Sequence, residues 1–272
     1  MEILLLLVAG AVGGFIAGLV GVGGGIIFGP VLFFFFQSQG IEDPILTPLT
    51  LGSSLLCTCL AAFSGMIAQR TKEAIDWRTA GISGGFATIV VTLLTLFVTT
   101  KAWYSKEEFQ VVLSVVLVAV VVRMLLQKDE LGNSLSTAGA QQNVGFLALI
   151  GAGAGAIAAG AGVGGGVIMV PAFNGLVRLP LKVAAGSSTT AIVLITLVGV
   201  VVYALKGLGA GLPPFSVGYV EYRSALLLGI PAMFTAQVGV VVAHRVNVKW
   251  VRYSFAVFAS SVALKLIWNA IG

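Results

Sequence analysis

The chain has 272 residues, of which 58% are hydrophobic and only 9% charged, with a net charge of +5 and a mean hydropathy of +1.07. A soluble domain carries about 25% charged residues, so a surface this short of charge has to face lipid. The few basic residues sit in short loops and form no stripe, zinc spacing or aromatic-rich motif, which excludes nucleic acid as a partner.

Met1-Glu2 offers no basic leader, and no small-residue cleavage site ends the first apolar stretch, so Ile3 onward reads as mature membrane helix. Apolar runs then follow at 3–20, 26–36, 48–68, 79–99, 108–126, 143–161, 167–177, 183–205, 219–243 and 249–270. A bilayer core of about 30 Å takes about 20 helical residues. Two runs, 26–36 and 167–177, fall short of that, and each follows a glycine cluster. As one helix, residues 3–36 would reach about 50 Å, too long for one crossing. The cluster therefore marks a turn-back, either a re-entrant hairpin or two short crossings. Cys57 and Cys59 are two apart on a predicted helix, point to different faces and do not pair with each other.

The sequence repeats itself. Gly21-Val22-Gly23-Gly24-Gly25 recurs as Gly162-Val163-Gly164-Gly165-Gly166, and Pro30 recurs in register as Pro171. Gly52-Ser53-Ser54 recurs as Gly186-Ser187-Ser188, and Asp76-Trp77-Arg78 as Glu221-Tyr222-Arg223. Four signposts in one order indicate a duplication. The expected fold is an all-α integral membrane protein of two homologous repeats, 1–126 and 142–272, joined by a linker at 127–141. Each repeat has a glycine-broken helix pair plus three long transmembrane helices, and the two form one integrated membrane domain. An odd number of crossings per repeat predicts inverted topology. Inversion collects Arg70, Lys72, Arg78, Arg123, Lys128, Arg178, Lys182, Arg245, Lys249 and Arg252 on one side, against Lys101, Lys106, Lys206, Arg223 and Lys265 on the other. The positive-inside rule favours this split and puts both termini outside.

Paired interruptions at matching places in two halves point to a transport site. Each break precedes a short helix whose N-terminal N–H groups and partial positive charge suit an anion. The acidic residues lie near run ends or in loops, so no mid-helix carboxylate is placed to hold a cation. The expected substrate-binding residues are Gly23, Gly24, Gly25, Gly164, Gly165 and Gly166, with donors Ser53, Ser54, Ser187, Ser188, Thr189 and Gln237 around them. Thr58 and Thr190 are further hydroxyls within the helices. Gly21, Pro30, Gly162 and Pro171 are expected to act as structural hinges. Each hydroxyl has a competing use in bonding its own helix backbone, and glycine clusters also serve close helix packing. His244, the single histidine, is expected at a loop boundary beside Arg245.

The glycine strings do not make a dinucleotide fingerprint, because they lie between membrane runs with no βαβ context. No phosphate loop, zinc-protease motif or nucleophile elbow is present, and no enzyme, cofactor or metal is expected.

These residues resemble the sulfite exporter TauE/SafE family, also called the toluene-sulfonate uptake permeases. The resemblance rests on Gly14, Gly18 and Gly21-Val22-Gly23-Gly24-Gly25 with Pro30 and Leu32, on Gly52-Ser53-Ser54 and Asp76-Trp77-Arg78, and on the second copy from Gly155 to Gly186-Ser187-Ser188. Ala159 stands in place of the first copy's Gly18, and Phe173 in place of Leu32. The resemblance implies a multi-pass carrier of the bacterial inner, cytoplasmic membrane. Its implied cargo is a small sulfur-containing anion: sulfite, a sulfonate, sulfoacetate or a taurine-like compound. The expected function is secondary transport by alternating access. The alternatives are an anion channel, or a non-transporting membrane subunit that assists a partner. The expected partners are the small anion and the lipid bilayer, and a homo-oligomer is left open.

Overall fold

A computed structural model describes residues 2–42, 44–100, 104–126, 143–209 and 212–245. The expected join at 127–141 and the last apolar run, 249–270, lie outside them, as do Lys101, Lys128, Lys249, Arg252 and Lys265. The first half holds α1 (Glu2–Val20), α2 (Gly25–Ser38), α3 (Leu46–Arg70), α4 (Trp77–Leu94, extended by a π-helical turn, Thr95–Thr99) and α5 (Lys106–Leu126). The second holds α6 (Val144–Ala161), α7 (Gly166–Gly175), α8 (Leu181–Lys206), a two-stranded ribbon of β1 (Ser216–Val217) and β2 (Val220–Glu221), and α9 (Tyr222–Ala243). Among the described residues, α1, α3, α4 with its π turn, α6, α8 and α9 are long and apolar enough to cross a membrane. Leu149, Phe97 and Phe234 are among the large apolar side chains left exposed on the outside, where lipid is the fitting solvent.

Each half packs its first helix on a helix of the other half, and small residues allow it. A methyl group on Gly10, Gly14 or Gly18 of α1 would lie 2.2, 2.3 or 1.9 Å from the carbonyl oxygens of Leu228, Ala232 or Ala236 on α9. The second half repeats the seam: methyls on Gly151 and Gly155 of α6 would lie 2.2 and 2.4 Å from the carbonyl oxygens of Ser83 and Ala87 on α4. In both seams the contacts advance together along the two helices, so the helices run parallel. Backbones this close gain dispersion contacts that large side chains would forbid.

The long helices α3 and α8 cross antiparallel. Leu55 of α3 meets Gly199 of α8, and Thr189 of α8 meets Gly65 of α3. Residues about two turns into each reach across to cap regions of the opposite half. Asp76 caps α4 by accepting from the N–H groups of Arg78 and Thr79; Glu221 caps α9 by accepting from those of Arg223 and Ser224. A carboxylate there satisfies orphan donors and complements the helix dipole. The caps' own N–H groups donate from one half of the chain to the other: Asp76 to Ser187 Oγ at 2.8 Å, and Glu221 to Ser53 Oγ at 2.9 Å. The adjoining glycines are as tight. A methyl on Gly186 would lie 1.8 Å from the carbonyl oxygen of Ala74, and one on Gly52 2.1 Å from that of Tyr219.

Candidate functional site

Helix α1 ends at Val20, the chain turns through Gly21-Val22-Gly23-Gly24, and α2 starts at Gly25. The turn needs left-handed backbone at three residues: φ is 76° at Gly21, 88° at Gly23 and 75° at Gly24, and 67°, 79° and 83° at Gly162, Gly164 and Gly165. Side chains would clash there, at about 1–2 kcal/mol per residue. The two breaks thus share one conformation, which explains the repeated pattern of glycines around Val22 and Val163.

Both breaks present uncapped helix starts. Gly24 and Gly165 stand before α2 and α7 with no side-chain cap. In α2 the first bonds run from Ile27 and Phe28 N–H to Gly24 O; in α7 they run from Ile168 and Met169 N–H to Gly165 O. The preceding N–H groups, at Gly25, Ile26 and Gly166, have no acceptor within their own helix. One turn further on, Pro30 and Pro171 stand inside α2 and α7, where each removes a backbone N–H donor. At the far end of the first pair, Gln39 Nε2 donates to Glu2 Oε2 at 3.0 Å, so the end of α2 lies beside the start of α1.

The two breaks touch each other. A methyl on Gly25 would lie 2.6 Å from Val163 Cα and 2.7 Å from Gly162 O, and one on Gly166 would lie 2.8 Å from both Val22 Cα and Val22 O. Between them pass Thr58 of α3 and Ile192 of α8. A methyl on Gly23 would lie 3.1 Å from Thr58 Cγ2 and Ile192 Cγ2, and one on Gly164 2.9 and 3.0 Å from the same atoms. Glycine is the one residue that lets both long helices approach both breaks.

The expected polar residues divide. Ser54 donates to Gly162 O at 3.0 Å and so touches the second break. Ser53 and Ser187 accept the cap N–H groups described above. Thr189 donates to Ala185 O at 2.8 Å, the local bond open to any helical threonine. Gln237 sits on the α3–α9 seam, where its Nε2 donates to Ser64 Oγ at 3.0 Å. Thr58 Oγ1 and Ser188 Oγ are buried and have no hydrogen-bond partner, and both residues are 0% exposed. A buried hydroxyl without a partner carries a desolvation cost of about 1–3 kcal/mol that a bound acceptor would relieve. Thr58 stood in the sequence only as a further helix hydroxyl, and Ile192 is the central residue that sequence reasoning passed over. The signal was available: both stand four positions beyond the repeated Gly-Ser-Ser, so they match in the repeated pattern.

His244 caps the C-terminal end of α9, with Nε2 3.2 Å from Gln69 Oε1. Partial burial, then the nearby charges of Lys182 and Lys72, hold its pKa below the ordinary histidine value. It lies at a helix boundary beside Arg245, as expected. Among the described residues no group of three or more His, Cys, Asp or Glu is placed to hold a metal ion.

Among the described residues, six apolar helices, small-residue seams and two facing helix breaks define a multi-pass α-helical membrane protein. The family model described as sulfite exporter TauE/SafE matches residues 6–266, and the chain belongs to that family. Similar proteins include a "Probable membrane transporter protein" of Haemophilus influenzae, 26% identical over 97% of each chain. Others are the "Probable membrane transporter protein MJ0441" of Methanocaldococcus jannaschii, 23% identical over 91% of this chain and 89% of that one, and the "Probable membrane transporter protein YunE" of Bacillus subtilis, 24% identical over 100% and 99%. These names describe membrane transporters, not enzymes. No solved structure matches the chain.

Proposed function

We propose that this protein is a secondary transporter that moves a small sulfur-containing anion across the cytoplasmic membrane by alternating access. The observation that carries the reading is the meeting of the two glycine breaks. Two helix N-termini converge there, each with N–H groups lacking an intrahelical acceptor. Thr58 and Ser188, on the helices that pass the breaks, add buried hydroxyls without partners. Donors without a full positive charge hold an oxyanion yet let it leave, which a carrier requires.

Inverted halves are part of the reading. Parallel packing of α1 on α9 and of α6 on α4 supports it, as does the antiparallel crossing of α3 and α8. The bond between Glu2 and Gln39 supports a first pair that enters and leaves on one side. Arg70, Lys72, Arg78, Lys182 and Arg245 gather at the end where Gln69 meets His244 and Asp76 meets Ser187, while Lys206 and Arg223 lie at the other end. The richer end is the cytoplasmic one by the positive-inside rule. Because the breaks are in contact, an anion enters only as they part, and two alike halves give two alike ways of parting.

The sulfur in the cargo rests on the family's description as a sulfite exporter. The test is flux into proteoliposomes of sulfite, taurine and a simple alkylsulfonate. Saturable uptake stimulated by counter-flow supports a carrier. Movement of none of them, with no thermal stabilisation by any, would sink the cargo assignment.

A further inference from the structure

Thr58 and Ile192 occupy matching places in the two repeats, yet one carries a hydroxyl and the other a branched hydrocarbon. Their surroundings match as closely as their positions. Thr58 Oγ1 lies 2.8 Å from where a methyl on Gly25, the first residue of α2, would be; Ile192 Cδ1 lies 2.7 Å from the same point on Gly166, the first residue of α7. The helix start of α2 is therefore faced by a hydrogen-bonding group, and that of α7 by a methyl.

The hydroxyl is also in an uncommon state. Helical threonines settle on the carbonyl four residues earlier, and Thr50, Thr189, Thr190 and Thr196 all do so. Thr58 Oγ1 makes no such bond although it is fully buried. It is held where its proton can reach a ligand at the start of α2.

We propose that the site is unequal by construction. Thr58 is the specificity-determining ligand for one oxyanion head, and Ile192 walls off the opposite helix start from a second. The inference rests on the reading of the breaks as the substrate site. The cargo it selects is an anion with a single charged head and a compact apolar remainder. A second carboxylate or sulfonate group would be pressed against Ile192, where a charge without a hydrogen-bond partner is strongly disfavoured.

Ethanesulfonate and sulfoacetate make the comparison, since each has a two-carbon skeleton and a sulfonate, and only sulfoacetate carries a second charge. Binding and flux of both are measured on the purified full chain. The wild type is expected to prefer ethanesulfonate by about tenfold or more. Ile192→Thr is expected to shrink that preference at least severalfold by improving sulfoacetate. Thr58→Val is expected to weaken both ligands about tenfold, and Thr58→Ser, which keeps the hydroxyl, to restore most of the loss. Melting curves without ligand identify any variant that fails to fold; the smaller change Ile192→Val, expected to relax the preference slightly, then stands in for Ile192→Thr. A wild type that binds sulfoacetate as well as ethanesulfonate overturns the proposal but leaves the substrate site standing. So does an Ile192→Thr that folds and keeps the original preference. If the wild type binds neither anion nor any sulfur oxyanion, the site reading itself is overturned, and this inference with it.

Discussion

Ser53 and Ser187 show how far a residue's role is set by distant partners. Each stands beside a glycine in the repeated Gly-Ser-Ser, and each accepts the N–H of the carboxylate that caps a helix of the other half. Replacing either by alanine leaves a cap N–H unpaired, at a cost of about 1–3 kcal/mol. The bond to Glu221 is fully buried and that to Asp76 only partly, so Ser53→Ala is expected to lower the melting midpoint in detergent more than Ser187→Ala. Equal melting of both variants and the wild type would show that the caps do not depend on these hydroxyls. The sequence made the Gly-Ser-Ser pair visible, but the partners lie over 100 residues away, and no local pattern reports that. His244 is a second case. Its pKa is held below the ordinary value, so the folded state binds its proton less readily than the unfolded chain does. Its contribution to stability is present above the ordinary histidine pKa and is lost as pH falls through the depressed one. His244→Gln is expected to flatten melting midpoints in that acid range, and an unchanged slope would contradict the assignment.

At the scale of elements, the breaks were legible because their cause is local. Three left-handed residues in five require glycine, and a helix spanning 3–36 is too long for the bilayer. Gly23→Ala and Gly164→Ala are each expected to cost about 1–2 kcal/mol from the backbone alone, and to reduce transport beyond what the lost stability explains. Near-wild-type flux from both would remove the breaks from the site. The seams were less legible. Glycines spaced by four on α1 announce a close neighbour, yet nothing in their spacing names α9. Gly14→Leu and Gly155→Leu drive a side chain into the backbones of Ala232 and Ala87. Both are expected to abolish the monodisperse peak in size-exclusion chromatography. Survival of either would mean that its seam opens in solution. The crossing of Thr58 and Ile192 went unread for a different reason. An isoleucine in a membrane helix carries no polar signal, and its place becomes meaningful only beside its repeat mate.

For the whole molecule, composition alone settled the solvent: 58% hydrophobic and 9% charged residues demand lipid. The repeated signposts announced an order of helices, and exchange of seams and caps between the halves ties them together. The proposed inversion has its own check. Single cysteines near Gln39 and near Arg178 are expected to react with a membrane-impermeant reagent from opposite sides, and labelling of both from one side would refute it. The claim that matters most is that an anion binds where the breaks meet. Its most direct test is counter-flow of a labelled alkylsulfonate in proteoliposomes carrying the wild type or Thr58→Val, matched for folded protein. If the anion binds where the breaks meet, exchange by the wild type is saturable and the variant loses apparent affinity about tenfold. Exchange with unchanged affinity in Thr58→Val would place the anion elsewhere and contradict it.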